Sequence, residues 1–203
     1  MIEISAEAVE RVQKLLESVP KGAEKALSSA INRGLSRVKT GASKRVKEVY
    51  TVQGRAFNEA TKIRVNKADT GNLVGFVSFS GYKIPLYKFQ VTPKVPGTRQ
   101  QVRAAVMKGG GTPYEEAFIG QMKNGHLGVF ERTGEQGIES RLQKTKKRRG
   151  TLHTEKIWEL PGLAAAQMVG NENIIAGLEA EAQEIVNERL EHEIDRLLNG
   201  YGG

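Results

Sequence analysis

The sequence predicts an α+β fold, with N-terminal amphipathic helices, a central antiparallel β-sheet that carries a long basic loop, and a C-terminal acidic amphipathic helix. Three observations lead to this prediction. Apolar residues recur at helical spacing over 1–50, alternate with polar residues in short segments over 58–162, and return to helical spacing over 172–199. The length of 203 residues suits one domain, which we expect to span 1–203.

Two helices are predicted in the N-terminal region. The first is capped by Ser5 and stops at Val19-Pro20, since the residue before a proline disfavours helical geometry. The second continues to Val49 with one apolar face, and its other face presents the cations Arg33, Arg37 and Lys44. Glycines lower helix propensity, so we expect a break near Thr40-Gly41.

The central region has the alternating, β-branched pattern of strands separated by turn signals. The hairpin signal is Asn124-Gly125, which lies between two apolar runs. The predicted strands are Thr61 to Val65, Leu73 to Ser80, Leu86 to Val91, Gln101 to Met107, Ala117 to Gln121, His126 to Glu131 and Ile157 to Leu160, the last ended by Pro161-Gly162.

A polar stretch over 133–153 is predicted to be a long, mobile loop, because it has few apolar residues to bury. It contains five cations within six positions, namely Lys144, Lys146, Lys147, Arg148 and Arg149. The last predicted element is a helix over 172–199, whose apolar stripe runs from Ile175 to Leu197 and whose other residues are largely acidic.

Composition argues against several function classes. The chain has no Cys, which excludes disulfides, thiolate catalysis and Cys-based zinc sites. Its three histidines are scattered, and no GxSxG, P-loop or HExxH motif occurs, so we expect no catalysis, no metal and no cofactor. No window reaches the roughly 20 apolar residues of a membrane span, and the start lacks the pattern of a signal peptide. We therefore expect a soluble protein that is made in the cytosol and has no membrane partner.

The net charge of +8 is unevenly distributed along the chain. Residues 1–150 hold 28 Lys and Arg against 13 Asp and Glu, a net charge of +15, whereas residues 151–203 hold 3 against 10, a net charge of −7. Such polarity favours contact between copies, or a basic face toward nucleic acid and an acidic face toward a protein. The basic loop has no interleaved aromatic residue, so it indicates backbone contact at most. Contact with DNA, docking to an acidic protein surface and simple solvation all remain open.

Three segments resemble the phage minor tail protein Z family. Lys83 to Phe89 is similar to the family's IPL..F element, and Ala117 to Arg132 is similar to its AFI..MK.GH.GVF.R hairpin. Ile157 to Gly162, followed by Gln167-Met168, resembles the I.EL.GPSVPQM element that precedes a C-terminal helix. The third segment departs from the family pattern, since the Gly-Pro order is reversed and the later proline is missing.

The resemblance implies a structural virion protein of the tail or neck, assembled in the host cytoplasm. Such a protein completes the head-proximal end of the tail and joins it to the head as a homo-oligomeric ring, in contact with the tail terminator, the tail tube or the head connector, and with double-stranded DNA in the channel. The alternative is a free-standing, non-sequence-specific nucleic-acid-binding protein. A tail factor that cleaves peptidoglycan or nucleic acid is a third hypothesis, which lacks a recognisable catalytic constellation.

Two sets of candidate residues follow. Contacts with DNA or an acidic partner are expected from the loop cations and from Arg33, Arg37 and Lys44. Subunit or partner contacts are expected from the hairpin, from the segments after it and from the acidic helix, at Phe118, Met122, His126, Phe130, Arg132, Trp158, Met168, Glu184, Glu188 and Glu191.

Overall fold

A computed structural model describes residues 4–136, 140–141, 151–152 and 155–200. Its helices are α1 (Ala6–Leu15), α2 (Gly22–Val49), α3 (Ala56–Ala60), α4 (Ala165–Val169) and α5 (Glu172–Leu198). Its strands are β1 (Thr61–Asn66), β2 (Phe76–Gly81), β3 (Lys83–Pro85), β4 (Gln90–Thr92), β5 (Val102–Ala105), β6 (Thr112–Tyr114), β7 (Ala117–Gln121), β8 (Leu127–Gln136), β9 (Ser140–Arg141), β10 (Thr151–Leu152), β11 (Glu155–Glu159) and β12 (Pro161–Ala164). These elements confirm the α+β class.

The chain forms two compact units. Unit 1 comprises residues 1–49, 58–82 and 164–203, and unit 2 comprises residues 50–57 and 83–163. The prediction of one domain over 1–203 stays a prediction. None of the helices within the described ranges is both long and apolar enough to cross a membrane.

Unit 1 is built around the packing of α2 against α5. Ser5 caps α1 as predicted, since its hydroxyl accepts a hydrogen bond from the Ala8 backbone N–H at 3.2 Å. The core of unit 1 combines one apolar face from each of α1, α2 and α5, with Val12, Leu16, Ala26, Leu27, Ala30, Val186, Leu190, Ile194 and Leu197 buried together.

The expected break in α2 was wrong, and the glycines explain why. Gly34 and Gly41 are buried in one uninterrupted helix. A Cβ added at Gly34 would lie 2.5 Å from Cγ2 of Val186, and one at Gly41 would lie 3.2 Å from Cδ2 of Leu178. Both glycines therefore let α2 and α5 approach closely, and this close packing holds a helix whose intrinsic propensity is weak.

The antiparallel strands form several small sheets instead of one central sheet. Within the described residues, β1 pairs with β2, β9 with β10 and β3 with β12, while β4-β5-β6 and β7-β8-β11 form three-stranded sheets with β5 and β8 in the middle. Leu86–Lys88 is a 3-10 turn and not the start of a strand. β11 ends at Glu159, just before the predicted end at Pro161-Gly162, and a separate strand, β12, begins at Pro161.

The hairpin β7-β8 confirms the Asn124-Gly125 signal. Gly125 has a φ of +84°, which an L side chain rarely adopts, and the Gly125 N–H donates to the Met122 carbonyl at 2.9 Å. The described residues within the predicted loop over 133–153 are strands, since Thr133 to Gln136 extend β8 and Ser140–Arg141 pairs with Thr151–Leu152. The five predicted loop cations, Lys144, Lys146, Lys147, Arg148 and Arg149, lie outside the described residues.

Candidate functional site

One face of the β7-β8-β11 sheet gathers most of the predicted hairpin residues. The pairs Phe118 with Phe130 and Ile157 with Arg132 lie directly opposite each other, and cross-strand partners share a sheet face. The other face carries Ile119 and Val129, which are buried in the core of unit 2. We call the first of these the outer face.

Aromatic and charged groups stack along the outer face. The guanidinium of Arg132 lies 5.3 Å from the ring centroid of Phe118, a cation–π arrangement. The rings of Phe118 and Phe130 are 6.1 Å apart, and the His126 ring meets the Phe130 ring edge to face at 6.4 Å. Nε2 of His126 lies 2.9 Å from Oε1 of Glu159. The result is one continuous row of contacts across three strands.

Two glycines make room for the central ring of this row. A Cβ added at Gly120 would lie 2.9 Å from Cδ2 of Phe130, and one at Gly128 would lie 2.8 Å from its Cε2. The Phe130 ring therefore lies against bare backbone, which explains why it is 5% exposed on the outer face of a sheet. Phe118 and His126 are half-buried and Arg132 is exposed, so they remain accessible around it.

The other residues predicted for subunit contacts fall in different places. Met122 is half-buried in the hairpin turn, and Trp158, 62% exposed, lies opposite Glu131, so its side chain leaves the sheet on the other face. Met168 is fully buried in unit 1 and is a core residue, not a surface residue. Phe130 is likewise buried, so it supports its neighbours on the outer face and offers little surface of its own.

The acidic helix carries an exposed ridge. Glu184, Glu188 and Glu191 follow each other at steps of four and three on α5, which places them on one face. Glu191 already pairs with Arg11 of α1, through two hydrogen bonds of 2.9 and 3.1 Å between guanidinium and carboxylate. Glu184 and Glu188 have no cationic partner within the described residues.

Part of the predicted charge complementarity is used inside unit 1. Arg37 of α2 donates to Oε2 of Glu181 from Nε at 2.9 Å, and Arg45 pairs with the other oxygen of the same carboxylate. Burial alone would raise the pKa of Glu181, but the hydrogen bond from Arg45 and the charge of Arg37 outweigh it, so the pKa is lowered. Arg33 and Lys44 are exposed and unpaired among the described residues, whereas Arg37 is engaged within the fold.

A buried carboxylate was missed by the sequence analysis. Glu193 is fully buried between α2 and α5, where the Ser29 hydroxyl donates to its Oε1 at 2.7 Å and Arg196 donates to its Oε2 from Nε at 2.9 Å. Burial alone would raise the pKa of Glu193, yet Ser29, Arg189 and Arg196 together lower it. Its position in an acidic run hides it, although its helical spacing, three residues after Leu190 and four before Leu197, places it on the buried stripe of α5.

No catalytic or metal-binding constellation emerges from the described ranges. They contain no group of three or more His, Asp or Glu residues arranged to hold a metal ion. A groove of about 800 Å³ in unit 1 is lined mainly by apolar side chains such as Leu27, Val77 and Phe79, with Glu179 at its wall. Ligand pockets usually combine an apolar wall with several convergent polar groups, and this groove lacks that combination.

Comparison with known proteins adds one match. A family model described as Prophage minor tail protein Z (GPZ) matches residues 6–143, which is more than half of the chain. The match includes the first two resembling segments and the whole β7-β8 hairpin, and it ends before β11 and α5. No curated protein and no solved structure matches the chain.

Proposed function

Because the chain belongs to the prophage minor tail protein Z family, we propose that it completes the head-proximal end of a phage tail and joins the tail to the head. A minor tail protein is a structural component of the virion, and the finer position in the tail or neck is our proposal. The protein acts in this scheme by binding alone, without catalysis and without a cofactor, after assembly in the host cytoplasm.

The outer face of the β7-β8-β11 sheet is the observation that carries the proposal. It is a partly exposed surface with a preorganised centre, since Phe130 is fixed between Phe118 and His126 and by the two bare glycines beneath it. Arginine and aromatic side chains are the residues that contribute most at protein interfaces. We assign this face to contact with a neighbouring tail or connector protein, either the tail terminator, the tail tube or the head connector.

The two charged helices support contact between copies of the chain. The exposed Glu184 and Glu188 of α5 and the exposed Arg33 and Lys44 of α2 remain available after the internal ion pairs have formed. Opposite charges on different surfaces of one subunit suit a heterologous interface, which closes into a ring. Light scattering of the purified protein, alone and with its neighbouring tail proteins, tests this part, and a monomer under both conditions contradicts it.

The joining role is tested by complementing a phage that lacks the gene. Wild-type protein restores joined particles, whereas Arg132→Gln lowers their number about tenfold, the effect of losing about 1.4 kcal/mol of contact energy. Lys123→Gln is the matched control, because Lys123 is an exposed cation of the same hairpin that lies outside the aromatic row. Negative-stain images count joined and unjoined tails.

Normal tail ends and normal joining without the gene contradict the proposal. Equal loss of joining in the two variants contradicts the assignment to the outer face. The free-standing nucleic-acid-binding protein remains the alternative; it predicts that the phage lacking the gene still makes joined particles.

A further inference from the structure

The β1-β2 ribbon of unit 1 has one apolar and one basic face. Ile63 opposes Phe79 and Val65 opposes Val77 on the half-buried face, and β2 packs against α2 and α4. On the exposed face Lys62 opposes Ser80 and Arg64 opposes Ser78. This exposed set of two cations and two hydroxyls, bounded by Asn66 and Phe76, is here called the ribbon face.

The cations of the ribbon face have no carboxylate partner in the described part of the chain, and the face itself carries no acidic residue. Asp69, in the connecting loop, is engaged by its own turn, where its Oδ1 accepts hydrogen bonds from the N–H groups of Gly71 and Asn72 at 2.7 and 2.8 Å. Glu59 lies beyond the other end, beside Lys62 and Tyr82 in a small depression. The field over the ribbon face is therefore positive.

We propose that the ribbon face binds the phosphate backbone of double-stranded DNA without reading its sequence. Lys, Arg, Ser and Asn are the side chains that contact phosphate and sugar. Alternate residues on a strand are about 7 Å apart, so Lys62 and Arg64 present two charges in a row, with Ser80 and Ser78 opposite them. The Ser80 hydroxyl already donates to the Lys62 carbonyl at 3.3 Å, so Ser78 is the hydroxyl donor of this face. A ribbon held in place by its packed apolar face presents these groups without a large ordering cost.

The positions of the aromatic side chains favour duplex over single-stranded nucleic acid. Phe76 is 56% exposed and Tyr82 is 85% exposed, but they stand at opposite ends of β2, about 20 Å apart along the strand. Stacking platforms for single strands need aromatic side chains that receive successive bases. Here cations and hydroxyls occupy the space between them, which suits a regular row of phosphates.

The test compares duplex binding by the full chain and by Lys62→Gln/Arg64→Gln, with Lys108→Gln/Lys123→Gln as control. All four residues are exposed, and the two double variants remove the same charge, the control pair lying in turns of unit 2. The ribbon variant binds a short duplex about tenfold more weakly, and its slope of log affinity against log salt is shallower by about 2. The control keeps the affinity and the slope of the wild type. Circular dichroism establishes that each variant is folded. Ser78→Ala/Ser80→Ala leaves the net charge unchanged, and we expect it to weaken binding to the duplex as well.

Several outcomes overturn the proposal. They are a wild-type protein that does not bind the duplex, equal weakening in ribbon and control variants, and tighter binding to a single strand of the same length. Binding of polyglutamate to the immobilised protein is measured as well. If Lys62→Gln/Arg64→Gln weakens polyglutamate binding as much as duplex binding, the proposal is overturned, since the ribbon face then binds any polyanion and does not select DNA. This binding assay is independent of particle joining, so either proposal can fail alone.

Discussion

At the residue scale, several glycines make room for larger groups, and one buried carboxylate is held by its partners. Gly120 and Gly128 let a phenyl ring lie against the backbone of a sheet, and Gly34 lets two helices approach closely. Glu193 shows the opposite case, since a charged group is buried only with its partners in place. None of these roles follows from residue type alone, because each depends on what a distant segment places opposite.

The buried Glu193 carboxylate makes the free energy of unfolding depend on pH in the acid range. Its pKa in the folded chain is lowered from the ordinary value of 4.5, so its stabilising contribution is fully present above that value and is lost as the pH falls through the folded pKa. Glu193→Gln lowers the free energy of unfolding by about 1–3 kcal/mol at neutral pH. Urea unfolding of both proteins at several pH values checks this, and the difference between them narrows below pH 4.5. A constant difference across that range contradicts the assignment.

At the scale of elements, the sequence predicts those whose local pattern and packing agree. The apolar stripes of α2 and α5 each face a partner, so their periodicity predicts the end of α2 and both bounds of α5 closely, whereas α1 ends at Leu15, before the predicted stop at Val19-Pro20. The hairpin is predicted because Asn124-Gly125 fixes its turn. By contrast, the region from Leu86 to Val91 forms a 3-10 turn followed by a short strand, since Leu86 and Phe89 are both buried despite their odd spacing. Such short elements depend on tertiary contacts.

The same limit applies to the candidate site. The hairpin motif identifies Phe118, His126 and Arg132, and the structure brings them onto one face. Ile157 and Glu159 join them only because β11 pairs with β8 in a particular register, which local pattern does not reveal. The alternation of cations and apolar residues from Lys62 to Val65 indicates a strand with one basic face. The pairing of that face with Ser78 and Ser80 is visible only in the structure.

The close approach of α2 and α5 predicts a steric coupling between Gly34 and Val186. Gly34→Ala gains helix propensity of about 1 kcal/mol, but its Cβ clashes with a buried methyl group, at a cost of about 1–3 kcal/mol. We therefore expect a lower melting temperature for Gly34→Ala. Val186→Ala is destabilising by itself but relieves this clash, so the double variant is more stable than the sum of the two changes implies. Ser36→Ala, on the exposed face of α2, is the control, and strict additivity contradicts the coupling.

At the scale of the whole molecule, charge is divided between internal and external use. Arg11, Arg37 and Arg45 neutralise acidic groups of α5, and what remains exposed on α2, α5 and the ribbon face is available to partners. Net charge along the chain therefore overstates the charge that the folded surface presents. Family membership identifies the chain as a phage tail protein, which physical chemistry alone would not do.

In the proposed function this chain occupies the head-proximal end of the tail. The most direct measurement is immunogold labelling of purified virions with an antibody against the protein, viewed by electron microscopy. We expect gold particles at the junction of head and tail, and no labelling of particles made without the gene. Label at the distal tip or along the tail shaft, or virions that carry no label, would contradict it.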